Sequence, residues 1–503
     1  MNDPQRPSFS PMRTRAHGPL GLAHRGGRGP SSTTIVAMGV VVGLALLAPN
    51  LGFAGGFEFG VNGSRATSRG GAFTVRADDL TAIDHNPGGL SRLHGTHLTL
   101  SHNTVYADVS FTRAESVVPQ SPSLESGSPN PLAKTSNETP LFALGGMFVA
   151  ATDFGLHDFT FAVGAYGPSA MGKQRYDVKG GARWMLTDIE AIIVYYSAAI
   201  AYGRETWGVG VTLQLAHQSA TSLSLVVDGT TGGDQLPYSS PTDVLATIDL
   251  SAPPTFTAIV GAWWRPIDAI EVAVSGRVMP ARMNAVGDVT LSNTPGGAQF
   301  NDKQLEVENS SAALTLVIPP TAKAGVRYRH MQGKTEVFDV ELNVVYEAWS
   351  MLKSYDVNLE GDIKLFASHK APDIKIEKNW QDTVAVRLGG SARLNEMLSF
   401  SAGGFYETAA VPVNYSHLDF PSFARIGLAV GVQAKVGALD LSMALGHIFQ
   451  ETRIVDEAYG QVFQQRPIAD CPEHCDGFDR VPVNAGKFES GFSTLSVSAS
   501  YAF

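Results

Sequence analysis

Residues Val337 to Trp349 read VFDVELNVVYEAW. Phe338, Val340, Leu342, Val344, Tyr346 and Ala348 fall on one parity. Asp339, Glu341, Asn343 and Glu347 fall on the other, with Val337 and Val345 as exceptions. A period of two places successive side chains on opposite faces of a strand. Three carboxylates on one face are costly in a dry core but tolerable against water or a wet channel. Such a strand, apolar on one side and acidic on the other, fits a wall with lipid outside and a polar lumen within.

The same pattern recurs outward from this stretch. Trp207, Val209, Val211, Leu213 and Leu215 alternate with Gly208, Gly210, Thr212, Gln214 and Ala216. Leu439, Leu441, Met443 and Leu445 alternate with Asp440, Ser442, Ala444 and Gly446, and Leu495 to Phe503 ends the chain in the same way. Fourteen such strands are predicted, near 94–109, 141–151, 158–168, 183–202, 206–227, 253–265, 269–291, 311–330, 335–358, 380–394, 397–414, 423–436, 439–455 and 487–503. The connections alternate between short turns (such as 203–205, 331–334 and 437–438) and long loops (such as 110–140, 228–252 and 456–486). That alternation is what an up-and-down transmembrane barrel with both termini on the short-turn side requires. The expected fold is therefore all-β, a 14-stranded antiparallel transmembrane β-barrel at 94–503. Soluble sandwiches or propellers are disfavoured, because their strands are shorter and no fixed repeat is present.

Composition agrees. The 503 residues carry 37 Lys and Arg against 47 Asp and Glu, a net charge of -10, with 17% charged residues and 52 Gly. An acidic balance argues against a nucleic-acid partner, and two Cys exclude a disulfide-rich scaffold. Residues 1–54 read as a signal peptide. Arg6, Arg13, Arg15, Arg25 and Arg28 precede an apolar run from Ile35 to Ala48, and small residues lead to a cut expected after Ala54. That run would span only about 21 Å as a helix, short of the roughly 30 Å hydrocarbon core.

Residues 53–93, FAGGFEFGVNGSRATSRGGAFTVRADDLTAIDHNPGGLSRL, resemble the start of the FadL/TodX family of outer-membrane transporters. The resemblance rests on Gly56 and Phe57, on Gly70, Gly71 and Ala72, on Ala77, Asp78 and Asp79, and on Asn86 and Pro87. Gly88 stands where the family usually has Ala, a change small enough to expect no steric consequence. Further on, FAVGAYGP (Phe161–Pro168) looks like the family's third strand, followed by Arg175, Tyr176 and Trp184. IPPTAKAGVRY (Ile318–Tyr328), Val345–Trp349, Tyr406–Val413 and a terminal Phe503 also fit. The resemblance implies an outer membrane of a Gram-negative bacterium, contact with its lipids, and recognition of Phe503 by the barrel-assembly machinery. It implies an N-terminal hatch, 55–93, inside the lumen, and passive uptake of hydrophobic small molecules such as long-chain fatty acids or aromatic hydrocarbons. Ligand would shift the hatch and leave sideways through the wall beside a kinked strand, with no catalytic residue, metal or cofactor.

The residues give these roles physical content. Arg65, Arg69 and Arg76 of the hatch are placed to pair with luminal Asp339, Glu341 or Glu347. Asn86-Pro87-Gly88-Gly89 is a turn by composition, either holding the hatch near a lateral gap or simply joining it to the first strand. Gly164, Gly167 and Pro168 interrupt the third strand and mark either a kink with a lateral opening or an ordinary strand end. Cys471 and Cys475, in CPEHC, suit a loop-pinning disulfide better than a metal site, which needs about four ligands. The alternatives to transport are a general porin, a structural or adhesin barrel, and a lipid enzyme, for which no nucleophile motif appears.

Overall fold

The computed structural model describes residues 60–115, 133–168, 173–227, 243–295, 300–364, 369–370, 373–465 and 482–503. The expected leader, hatch residues 55–59 and both cysteines lie outside these. Fourteen strands make the wall: β1 (Thr96–Arg113), β2 (Leu141–Thr152), β3 (Phe159–Tyr166), β4 (Asp188–Arg204), β5 (Trp207–Val227), β6 (Thr255–Ile267), β7 (Ile270–Arg277), β8 (Thr321–Gln332), β9 (Thr335–Glu347), β10 (Thr383–Arg393), β11 (Leu398–Glu407), β12 (Arg425–Val436), β13 (Leu439–Gln450) and β14 (Gly486–Ala502). Each pairs antiparallel with the next. β14 returns to β1 in unbroken register from His97↔Ala502 to Arg113↔Gly486, closing the ring. Closure gives every wall strand a partner on both sides, the condition for burying strands in lipid.

The alternation read from Val337–Trp349 is realised in β9. Asp339, Glu341 and Asn343 are buried inward, while Val344 and Tyr346 are exposed outward. Around the ring Leu100, Val163, Leu213, Val274, Leu428, Leu445 and Val497 likewise face out. Aromatic pairs such as Tyr202 with Trp207 (5.6 Å) and Tyr501 with Phe503 (4.8 Å) sit at the short-turn end, where an interfacial girdle belongs. Gly333 (φ 63°) lets β8 turn into β9 through two residues, and Gly437 (φ 62°) does the same between β12 and β13.

At the long-loop end the sequence expectation needs correction. The strands expected at 269–291, 311–330 and 335–358 are each divided. The first resumes as Ala281–Asn293 after Pro280 and the second begins as Val307–Ile318 before Pro319-Pro320. Proline cannot donate to the ladder, so the strands bend there. The third breaks at a 3-10 turn, Trp349–Met351, and resumes as Ser354–Ile363. The loop expected at 228–252 contains a further strand, Val244–Ser251. These segments and Ile374–Glu377 pair onward from Thr221–Val227 of β5, forming a sheet beyond one side of the barrel. Its inner face (Ile248, Leu250, Met283, Leu316, Val357 and Leu359) is buried in the main apolar core.

Candidate functional site

Residues 60–93 precede β1 and contain two short helices, α1 (Ser64–Ser68) and α2 (Ala82–His85), then a 3-10 turn at Pro87–Arg92. Ser64 Oγ meets Ser442 Oγ of β13 (2.6 Å) and Ser498 Oγ of β14 (2.8 Å). Arg69 meets Ser391 of β10 (2.7 Å), and Thr212 of β5 donates to the Ile83 carbonyl (2.7 Å). These strands lie on different sides of the ring, so the segment crosses the lumen.

Two kinds of contact seat it. One is backbone against wall glycines. A Cβ on Gly261 or Gly210 would collide with Asn86 or Pro87, and on Gly403 or Gly389 with the Arg69 carbonyl. Gly88 is equally confined, since a Cβ there would lie 2.8 Å from the Gly261 carbonyl and 3.1 Å from that of Gly208. The glycine here is thus more than a permissive replacement for alanine: this chain's turn lies against β5 and β6 too closely for a side chain. Trp263 Nε1 donates to the Gly88 carbonyl (3.1 Å), and the fully buried Asn86 donates to the Thr74 carbonyl (2.9 Å) while accepting from Gly88 N (3.1 Å). Gly70 and Gly71 take left-handed φ of 62° and 78°, turning the chain beside β11 and Arg387.

The second contact is charge. Arg69 pairs with Asp339 (2.7 Å) and Glu341 (3.2 Å), and Arg76 pairs with Asp339 (2.6 Å). Glu341 also accepts from Val75 N (2.7 Å) and Arg76 N (3.1 Å). Arg65 turns instead to Asp78 (2.7 Å) and Asp79 (3.1 Å) of its own segment, and Asp79 accepts from Thr81 N (2.9 Å). Glu347 meets none of the three arginines; it accepts from Trp349 Nε1 (2.6 Å) higher in the lumen. The network extends to residues the sequence reading passed over. Glu271, fully buried, faces Arg265 (2.8 Å), Arg327 (2.9 Å) and Arg92 (3.5 Å), and Arg327 also meets Asp339 (2.9 Å) and Glu336. The inward parity of β7 (Glu271, Ala273, Ser275, Arg277) was a signal that could have found Glu271 and Arg277.

Above this polar floor are two small cavities, of about 50 and 60 Å³, both lined by Gly60, Val61, Glu347 and Arg387. A cavity that holds benzene is roughly 150 Å³, so neither of these two accepts a hydrocarbon as it stands. Higher still the filling is apolar and aromatic. Phe111, Phe423 and Phe488 cluster with centroids 4.7 and 6.0 Å apart, and Trp349 meets Trp380 edge-on at 5.3 Å. Tyr176 and Trp184, from the stretch after β3, are buried there too. One buried ionic tie joins two outer connections. Lys378 Nζ meets Asp419 (2.5 Å), and His417 Nδ1 meets the other Asp419 oxygen (2.8 Å). Burial would raise the Asp419 carboxyl, but the His417 and Lys378 charges outweigh it and hold it below the usual carboxylate range. Burial lowers His417 and Lys378.

The third strand is short. β3 pairs with β2 only at Met147–Thr152, and with β4 at Tyr195–Tyr202. Gly164 is within the ladder and does not break it; Ile83 of α2 packs over its inner side. Beyond Tyr166, at Gly167-Pro168, no ladder among the described residues joins 141–146 of β2 to 191–194 of β4. Asn62 Nδ2 donates to the Gly167 carbonyl (3.2 Å) from inside, and Pro168 lines the 60 Å³ cavity.

A family model described as outer membrane protein transport protein (OMPP1/FadL/TodX) matches residues 45–464, and the chain belongs to that family. Members are outer-membrane transport barrels of Gram-negative bacteria, not enzymes. Solved structures share the fold at low identity. A Pseudomonas aeruginosa FadL homologue is 14% identical, with 89% of this chain and 100% of that one covered and a TM-score of 0.66. The toluene transporter TodX of P. putida is 13% identical (88% and 99% covered, TM-score 0.62). The toluene transporter TbuX of Ralstonia pickettii is 12% identical (89% and 99% covered, TM-score 0.57). No curated protein sequence matches the chain.

Proposed function

We propose that the protein takes up hydrophobic small molecules passively, long-chain fatty acids or aromatic hydrocarbons, with residues 55–93 as a movable hatch and exit through the wall beside β3. The observation that carries this reading is the short third strand: among the described residues its ladder ends at Tyr166, beside a luminal cavity, with the Gly167 carbonyl held from within by Asn62. A hydrocarbon gains little from a water-filled pore, whereas apolar side chains at the outer end offer it a first resting place. A sideways exit spares it the charged floor, where burying a solute without ionic partners would strand Asp339 and Glu271. Outer-membrane lipids then receive it directly.

The test uses a Gly167→Cys variant in which Cys471 and Cys475 are replaced by serine. A bulky maleimide on that thiol should abolish cellular uptake of radiolabelled palmitate or toluene, while the unlabelled variant transports normally. Uptake that survives labelling sinks the lateral exit. A large ion conductance from the intact protein in planar bilayers would instead favour a general porin.

A further inference from the structure

Most of the ring presents apolar side chains to lipid at mid-height, among them Val163, Val274, Val326, Val386, Phe400 and Val430, all exposed. β1 departs from this. Its buried Ser101 and Asn103 face the lumen, where Ser101 Oγ accepts from Ser498 Oγ (2.8 Å) and Asn103 Nδ2 donates to the Val61 carbonyl (3.5 Å). By parity His102 and Thr104 face lipid, and His102 is exposed. His102 Nε2 lies 3.2 Å from Thr104 Oγ1. Along the strand His102 stands midway between Leu98, the partner of Tyr501 in the lower girdle, and the exposed Tyr106 nearer the long-loop end. That places it near the middle of an apolar band about 25 Å tall. Adjacent strands carry the polar strip upward: Ser493 of β14, the partner of Tyr106, meets His447 Nδ1 of β13 at 2.8 Å.

Two further features mark this face. The ladder of β1 with β2 shifts at His102 alone, with Ser101 paired to Met147 and Asn103 to Leu144, so β2 bulges opposite the imidazole. A bulge re-aims the side chains beside it. Next to His102 a groove of about 390 Å³ runs over β12, β13, β14 and β1. One hydrogen-bonded row across it reads Leu100, Ala499, Leu441, Ala434, alternating large and small. Ridge and groove thus occur on one face, as a self-complementary contact requires. Acyl chains can fill the groove, but they offer His102 and Thr104 no donor or acceptor, and polar groups on the lipid face cost more the deeper they lie. A neutral imidazole and a hydroxyl each carry a donor and an acceptor, so an identical pair on another barrel satisfies them reciprocally. Such hydrogen bonds join membrane segments elsewhere. We propose that the outer face of β13, β14 and β1 is a self-association surface. Two copies of the chain meet there about a twofold axis normal to the membrane, with His102 and Thr104 of each bonded to the same pair of the other and the alternating rows interlocked.

The full chain, with Cys471 and Cys475 replaced by serine, should carry either Thr104→Cys or, on the far side of the ring, Val274→Cys, and be treated with a short bis-maleimide in native outer membranes. A product of twice the chain's mass is expected from Thr104→Cys, several-fold stronger than from Val274→Cys. Equal products from both mean random collision, and a product of another mass means a different partner; either overturns the proposal, as does no product at all. A second measurement uses purified protein labelled at Lys334→Cys, with Förster transfer between donor and acceptor copies in vesicles of outer-membrane lipids. The His102→Leu, Thr104→Val double variant suits lipid better than the original residues, and heat-modifiable migration in detergent gels reports its folding. Transfer should fall several-fold in the folded double variant. Undiminished transfer overturns the role of the polar pair, and absence of transfer in the unsubstituted protein overturns self-association itself.

Discussion

The two ends of the lumen are filled by opposite means. At the short-turn end, Arg69, Arg76 and Arg327 converge on Asp339 and Glu341, and the backbone of residues 60–93 lies on bare wall glycines. At the long-loop end, Trp184, Trp380, Phe111, Phe423 and Phe488 are buried together with the divided strands in one apolar core. Desolvating an ion pair costs about what its attraction returns, while removing one partner costs several kcal/mol. Charge therefore fixes where the segment sits more than how tightly it is held. Apolar packing adds roughly 25 cal/mol per Å² and has no directional demand. The floor is a positional lock, and the roof is a greasy filling that can rearrange around a solute.

The comparison breaks most visibly if the floor is removed. Deleting residues 60–93 should convert a closed barrel into an ion-conducting one, and single-channel recordings in planar bilayers measure it. No rise in conductance means the segment does not seal the lumen. Next in size, Asp339→Ala leaves three arginines around an absent acid. It should weaken seating of the segment by about 3–5 kcal/mol, read as faster proteolysis within 60–93 in detergent. Gly210→Leu attacks the same seat sterically and should give the same cleavage without touching a charge; if only the Asp339 variant is cut, glycine contacts do not hold the segment.

A smaller effect is expected at the roof. His417 has a folded value below its ordinary 6.5 because it is buried, so the unfolded state binds the extra proton first. Stability is then lost as pH falls below 6.5 towards the folded value. Fluorescence of Trp349 and Trp380 should report loosening between pH 7 and 5, and His417→Gln should flatten the profile. The smallest effect belongs to Lys134→Ala. Its pair with Glu489 (3.1 Å) is exposed at 54% and 35%, and its loss should change stability by less than about 1 kcal/mol in thermal melts.

The wall was legible because lipid forces a simple parity on every strand. Val344 and Tyr346 cannot trade sides with Asp339 and Glu341. The divided strands were less legible: Pro280 and Pro319-Pro320 were visible, but the run of β-formers on either side masked the bends. The lumen contacts were legible only in part. Arg69 and Arg76 could be paired with acids by location and sign, yet Arg65 found its partners in its own segment, which sequence distance alone does not reveal. Tyr166, Gln214 and Arg277 come from three strands and meet only through register, so no local motif carries them.

The seam between β1 and β14 joins the first and last wall strands of the chain. It cannot form until synthesis has reached the C-terminus, and contacts so distant in sequence form slowly. Residues 60–93 touch strands on opposite sides of the ring, from Thr212 of β5 to Ser442 of β13 and Ser498 of β14. The barrel must therefore wrap around its own beginning, so that a protein misassembled at the seam would be both open-edged and empty.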